Sequence, residues 1–230
     1  MRQSSMSGGS IKARPFDYPY DGALDPARLA LLVIDLQIDF VSPDGYLAKR
    51  GYDVTPVRRI LPAVRAVTDA VRRAGGLVVY TRQGYRADLA DMTDYERFRR
   101  RRGGLDGTGV LVRGSPGFEI APELPVEPSD VIVDKAANGA FTYTDLEQIL
   151  RVRRVEHVML AGCTTDVCVH STLREAHDRN FQCLLIEDAC ASGDAYAHAA
   201  AVHMVTVEDG VFGAVATAAE VLKGLEQVGR

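Results

Sequence analysis

With 230 residues, 47% of them hydrophobic and 25% charged, the chain can bury one substantial α/β core, and two small domains are the less natural reading. Its 27 Lys and Arg against 31 Asp and Glu give a formal charge of −4, so nothing global points to nucleic acid. Runs such as LALLVID (29–35) are too short to span a bilayer, and residues 1–14 lack the apolar stretch of a secretory signal.

In chain order, a loose start (1–14) and a Pro/Tyr/Gly arm, FDYPYDGALDP (16–26), precede the strand pattern LALLVID (29–35). Residues 35–53 read as a loop with Pro-Asp-Gly as a turn signal. The stretch 54–76 is an amphipathic helix. Val57, Ile60, Leu61, Val64, Val67 and Val71 recur at spacings of three and four, and Gly-Gly stops it. A strand, LVVYTR (77–82), leads into a long Gly- and Arg-rich insertion, 83–125. There RFRRRR (97–102) follows acidic DMTDYE (91–96) and reads as a solvated face or a subunit contact. DVIVDK (130–135) is a strand, and 144–155 a helix with Thr144 as N-cap and Glu147 at N3. HVMLAG (157–162) is a strand and 167–180 a helix; CLLIEDACA (183–191) is a strand and 195–209 a helix. A short final strand and a helix over 216–227 close the chain.

Apolar strands alternating with helices argue for a three-layer α/β/α sandwich around a mostly parallel sheet. Residues 25–230 are expected to form that single domain, and residues 1–24 a partly flexible N-terminal arm. No G-x-G-x-x-G or Walker A stretch follows a strand, which removes the main reason to expect a nucleotide.

Ligands in such a sheet lie beyond the carboxyl ends of the strands. Asp35, Lys135 and Cys168 fall there, the cysteine at a helix start. Free N–H groups at a helix N-terminus and a nearby ammonium both lower a thiol pKa. A carboxylate could take the thiol proton and later deliver it to a leaving amine. The residues alone leave a second reading open, in which Cys168 is a small buried hydrophobe and Asp35 and Lys135 merely pair. Four residues separate Cys163 and Cys168, not the two of the C-x2-C zinc pattern. Without an export signal the four cysteines read as reduced thiols of a cytoplasmic protein, and Cys183 and Cys190 read as core.

LLVIDLQIDF around Asp35, VDK at Lys135 and AGCTTDVCVHSTLREAHDRNF around Cys168 together resemble the isochorismatase-like cysteine hydrolase family, over nearly all of residues 25–226. The resemblance implies an Asp35–Lys135–Cys168 triad. It also implies an oxyanion hole made by the N–H groups of Thr164 and Cys168, with a cis peptide between Cys163 and Thr164. Within the family, YPYDGAL (18–24), YTRQGYRADLADM (80–92), GSPGFEIAPEL (114–124) and GVFG (210–213) resemble biuret and triuret hydrolases. An amidohydrolase of linear C–N bonds is then expected, acting on a small neutral ureide. Triuret would give carboxybiuret and ammonia; biuret would give allophanate and ammonia.

Biuret hydrolases carry a glutamine where this chain has Glu208. A carboxylate only accepts hydrogen bonds, and the departure tilts the expectation toward triuret. Asn138 is expected as a further polar contact and Phe40 and Phe141 as walls. Arg82 and Arg86 would either orient carbonyls or pair with Asp88. Ureidoacrylate and N-carbamoyl amine amidohydrolases are the enzyme alternatives and need a cationic pocket, which Glu208 would oppose. An inactive binding or scaffolding member is the non-enzyme alternative. Nicotinamidase-like relatives hold a metal on an Asp-x-His pattern, and residues 51–59 contain no histidine, so no metal or other cofactor is expected. Neither membrane nor nucleic acid is expected as a partner. Relatives form dimers and tetramers, which implies a homo-oligomer with contacts through 83–125 and 15–24.

Overall fold

The computed structural model describes residues 9–228. Among them are six strands: β1 (Leu29–Ile34), β2 (Leu77–Gln83), β3 (Val131–Lys135), β4 (His157–Cys163), β5 (Gln182–Ala191) and β6 (Ala214–Ala216). The order is β3-β2-β1-β4-β5-β6, and every pairing is parallel. The helices are α1 (Ile38–Val41), α2 (Tyr46–Lys49), α3 (Thr55–Ala74), α4 (Asp94–Arg102), α5 (Leu146–Val152), α6 (His170–Asp178), α7 (Ala195–Gly210) and α8 (Ala218–Val228).

Along β1, Leu29, Leu31 and Val33 enter one core with residues of α3 and α8. Ala30, Leu32 and Ile34 enter the other, with residues of α5, α6 and α7. Both faces of the strand are covered, so it reads as an unbroken apolar run. Strand order reverses between β1 and β4, and the crevice for a ligand opens beyond their carboxyl ends. None of the described helices is long and apolar enough to cross a membrane.

Several local expectations are corrected. The presumed loop 35–53 contains α1 and α2, four residues each, too short to leave a periodic signal. The insertion contains α4, capped by the Thr93 side chain on the Glu96 N–H; its one buried residue is Arg100, so no apolar stripe announces it. α5 begins after Asp145, not Thr144. The Thr144 hydroxyl instead accepts from Leu146 N–H (3.2 Å) and donates to the Ala140 carbonyl (2.6 Å), while Glu147 pairs with Arg179 and Arg151. α7 leaves helical geometry at Val207, where Glu208 and Asp209 turn left-handed.

Of the arm expected over 1–24, residues 1–8 lie outside the described part. Beyond them, Ile11 and Tyr18 are buried and exchange backbone hydrogen bonds of 2.7 and 2.9 Å. Arg14 exchanges backbone bonds with Val215 of β6, which fastens this segment to the sheet edge.

Candidate active site

Asp35 is the first residue after β1, with φ of 51°, a left-handed conformation that aspartate tolerates better than most residues. Its Oδ1 accepts from the Thr81 hydroxyl (2.6 Å), and that hydroxyl accepts from the Asp35 N–H (3.1 Å). Lys135 ends β3, and its Nζ stands 2.8 Å from Asp35 Oδ2 with both side chains fully buried. The ammonium also donates to Gln83 Oε1 (2.8 Å) and to the carbonyls of Ala137 (3.1 Å) and Asn138 (3.0 Å). Alternate residues of a strand face one side. Thr81 and Gln83, on the strand between β1 and β3, therefore hold one partner each. Gln37 in turn fixes Gln83, accepting from its N–H (2.7 Å) and donating to its carbonyl (3.1 Å). The ion contact at Asp35 Oδ2 is oblique, and that oxygen accepts no hydrogen bond among the described residues, leaving a lone pair for a proton.

Cys168 arrives from β4. Gly162 has φ of 122°, and a side chain there would run into the Ile34 backbone, so glycine lets β4 lie close against β1. The Cys163–Thr164 peptide is cis, and a π-helical turn, Thr165–Val169, follows. The Thr165 hydroxyl is 2.8 Å from His198 Nδ1 on α7. Among the described residues, the Thr164 N–H, which precedes the helical turn, makes no backbone hydrogen bond in the loops and turns. Lys135 and Asp35 are the charged groups that act on the Cys168 thiol.

The electrostatics differ from the expected low-pKa thiolate. Burial pushes the Cys168 thiol up to about 12; Lys135 pulls it down and Asp35 pushes it further up. The ammonium's charge is already matched by the carboxylate beside it, so desolvation wins. Burial also works against the Lys135 ammonium, but Asp35 and Cys168 outweigh it and leave its pKa raised. Burial thus favours the protonated thiol beside the buried Asp35–Lys135 pair.

All four cysteines are free and buried, and burial raises the pKa of Cys163, Cys183 and Cys190 as well. The folded chain therefore holds these protons more tightly than the unfolded chain. The associated stability is present below the unfolded thiol pKa, roughly 8.5, and is lost as pH climbs toward the folded values. One unit above the unfolded value the loss is about 1.4 kcal/mol per thiol. Urea midpoints should drop clearly between pH 7.5 and 9.5, and a flat profile would contradict the burial of these groups.

A cavity of ≈ 460 Å³ opens on Cys168, Thr164, Gln83 and Asn138. Phe40, Tyr46, Tyr52, Tyr85 and Tyr95 form much of its wall, and Arg50, Arg99 and Glu96 add charge.

Residues 29–220 match the isochorismatase domain. The chain belongs to the isochorismatase family. Its structure resembles a cysteine hydrolase from Pseudomonas syringae pv. phaseolicola 1448A, at TM-score 0.80 and 27% identity, covering 97% of this chain and 100% of that one. It also resembles an isochorismatase family protein from Burkholderia thailandensis (TM-score 0.68, 30% identity, 88% and 97% covered). N-carbamoylsarcosine amidase from Thermoplasma acidophilum is a third similar structure (TM-score 0.64, 25% identity, 83% and 96% covered). The family is one of cysteine hydrolases, and the chain shares its six-stranded sandwich.

On this isochorismatase framework Phe40 and Asn138 line the cavity, and two other expected contacts do not. Phe141 is 5% exposed and packs in the core that also holds Cys168, 5.8 Å from the Phe181 ring and under Arg179 at 5.0 Å. Glu208 is exposed on the broken end of α7, whereas the helix meets the cavity at its other end, through Asp194 and Ala197. Arg82 is spent on Asp134 (2.7 Å) and Glu119 (2.9 Å) and lies over the Phe118 ring, and Arg86 pairs with Asp88 (2.8 Å). The run 97–102 is not simply a solvated face: Arg100 is buried and donates to the Val110 carbonyl (2.7 Å), and Arg99 reaches the cavity. Sequence reasoning missed Arg50, Arg99 and the four tyrosines. They sit on short or irregular segments with little pattern to read; the i, i+4 spacings of Tyr46 with Arg50 and of Tyr95 with Arg99 were the available hints.

Proposed function

We propose that this chain is an amidohydrolase that cleaves a terminal C–N bond of a small ureide, triuret or biuret, through a thioester on Cys168. The reading rests on one observation above the others. A cavity-lining thiol, a carboxylate oxygen without a hydrogen bond and a buried ammonium come together beside the cis Cys163–Thr164 peptide and the helical turn that carries Cys168. Asp35 takes the thiol proton as the sulfur attacks the terminal carbonyl, and Lys135 balances the charge that moves. The oxyanion is received by the N–H groups of Thr164 and Cys168. Collapse breaks the C–N bond, and ammonia leaves with the proton held by Asp35. Water, deprotonated by the same carboxylate, then cleaves the thioester. From triuret the product is carboxybiuret, which can lose carbon dioxide to give biuret.

With Glu208 off the cavity, the argument that favoured triuret over biuret falls, and the two stand level. The amide groups of Gln83 and Asn138 and the guanidinium of Arg50 offer both donors and acceptors to a flat ureide. Arg50 also favours a second reading. It has no ion-pair partner among the described residues, so it could receive the carboxylate of an N-carbamoyl amine, although Glu96, Asp166 and Asp194 place acidic groups on the same wall. The resemblance further supports a cytoplasmic homo-oligomer, with Tyr95 and Phe98 of α4, 71% and 46% exposed, available to a subunit contact.

Ammonia release from triuret, biuret and an N-carbamoyl amino acid, each over a concentration series, separates these readings. A kcat/KM at least about tenfold higher for one of the ureides is expected. The reverse order would move the assignment to the Arg50 reading, and release from none of the three would overturn both.

A further inference from the structure

We propose that Thr172 is a positioning residue that locks the nucleophile turn to the loop holding Lys135. Thr172 lies one helical turn beyond Cys168 on α6 and is fully buried. Its hydroxyl donates to the Cys168 carbonyl (2.7 Å) and accepts from the Ala140 N–H (3.1 Å). Ala140 belongs to the loop after β3 whose Ala137 and Asn138 carbonyls take hydrogen bonds from Lys135. One hydroxyl thus joins the backbone of the attacking residue to the backbone that orients the ammonium.

A second clasp lies one turn further along α6. Glu175 accepts from the Phe141 N–H (2.9 Å) and from the Thr142 hydroxyl. A side chain at Gly139 would collide with the Glu175 carboxylate, so glycine there is what allows the carboxylate to reach the loop. Arg179 donates to the Glu175 carbonyl (2.9 Å) and covers Phe141. Neither Thr172 nor Glu175 lines the cavity; both act through the placement of Cys168 and Lys135.

Misplacing reacting groups by about 1 Å can cost roughly 100-fold in rate. This inference rests on the proposed roles of Cys168 and Lys135, and its test keeps the two apart. Thr172→Val preserves shape and removes the hydroxyl, and Thr172→Ser restores it. With the most active ureide, Thr172→Val should lower kcat by roughly 10- to 100-fold with KM within about threefold, and Thr172→Ser should return kcat to within about threefold of the native rate. If Thr172→Val does not fold, Glu175→Gln serves instead; it exchanges one acceptor oxygen for an amide donor and should lower kcat about tenfold at unchanged KM. Native kcat in a folded Thr172→Val or Glu175→Gln protein, beside a native rate that depends on Cys168, would overturn this inference alone. A native rate independent of Cys168 would overturn both it and the reading of the site.

Discussion

Replacing Cys168 by alanine is expected to lower ammonia release by at least about 10⁴-fold while the protein stays folded. Cys168 lines the cavity, and Asp35 and Lys135 are the charged groups that act on its sulfur. Because burial favours the protonated thiol, its reactivity depends on proton transfer to Asp35 during attack, not on a standing thiolate. Alanine removes the attacking atom but leaves the ion pair, and the Lys135 network of Gln83, Ala137 and Asn138 does not depend on sulfur. A coupled ammonia assay and a thermal melt on the same preparation check both halves. An Asp35→Asn protein should also lose turnover while retaining ureide binding, because the amide cannot take the proton.

Replacing Lys135 by methionine is expected to damage stability as well as activity. Asp35 and Lys135 are fully buried and 2.8 Å apart. Removing one partner of a buried pair leaves an uncompensated charge, at a cost of about 3–5 kcal/mol. Asp35→Asn alone should be destabilising for the mirror-image reason. The double variant Asp35→Asn/Lys135→Met carries no buried charge and should recover much of the stability, since a neutral pair of similar volume is tolerated, yet stay inactive. Urea unfolding of the four proteins gives the coupling directly. Additive losses in the double variant would contradict the picture of a compensated pair.

Much of the architecture was readable because the physics that writes it is local and repetitive. LALLVID reads as a strand buried on both faces because both faces are covered, and α3 announces itself through six apolar positions and a Gly-Gly stop. Asp35, Lys135 and the Cys168 turn were legible because strand ends in a parallel sheet converge, so sequence separation does not matter. What was hidden depends on features that no period records. The α4 stretch has almost no apolar face and folds because Thr93 caps it and Arg100 is buried against the Val110 carbonyl. Glu208 was misplaced because α7 meets the cavity at its N-terminal end and carries Glu208 at the other, and Phe141 because its loop turns it toward Phe181 rather than the cavity. The thiol pKa was misjudged for a related reason. Position at a helix start is visible in a sequence, but desolvation and the prior pairing of Lys135 with Asp35 are visible only in three dimensions.

The most direct test of the account is a single-turnover experiment with enzyme in excess over ureide, quenched in acid at successive times and analysed by peptide mass. The account predicts that the peptide containing Cys168 transiently gains the acyl group of the ureide as one equivalent of ammonia appears, and then loses it. Ammonia released while that peptide stays unmodified at every time point, with the Cys168→Ala protein turning over at the native rate, would contradict it.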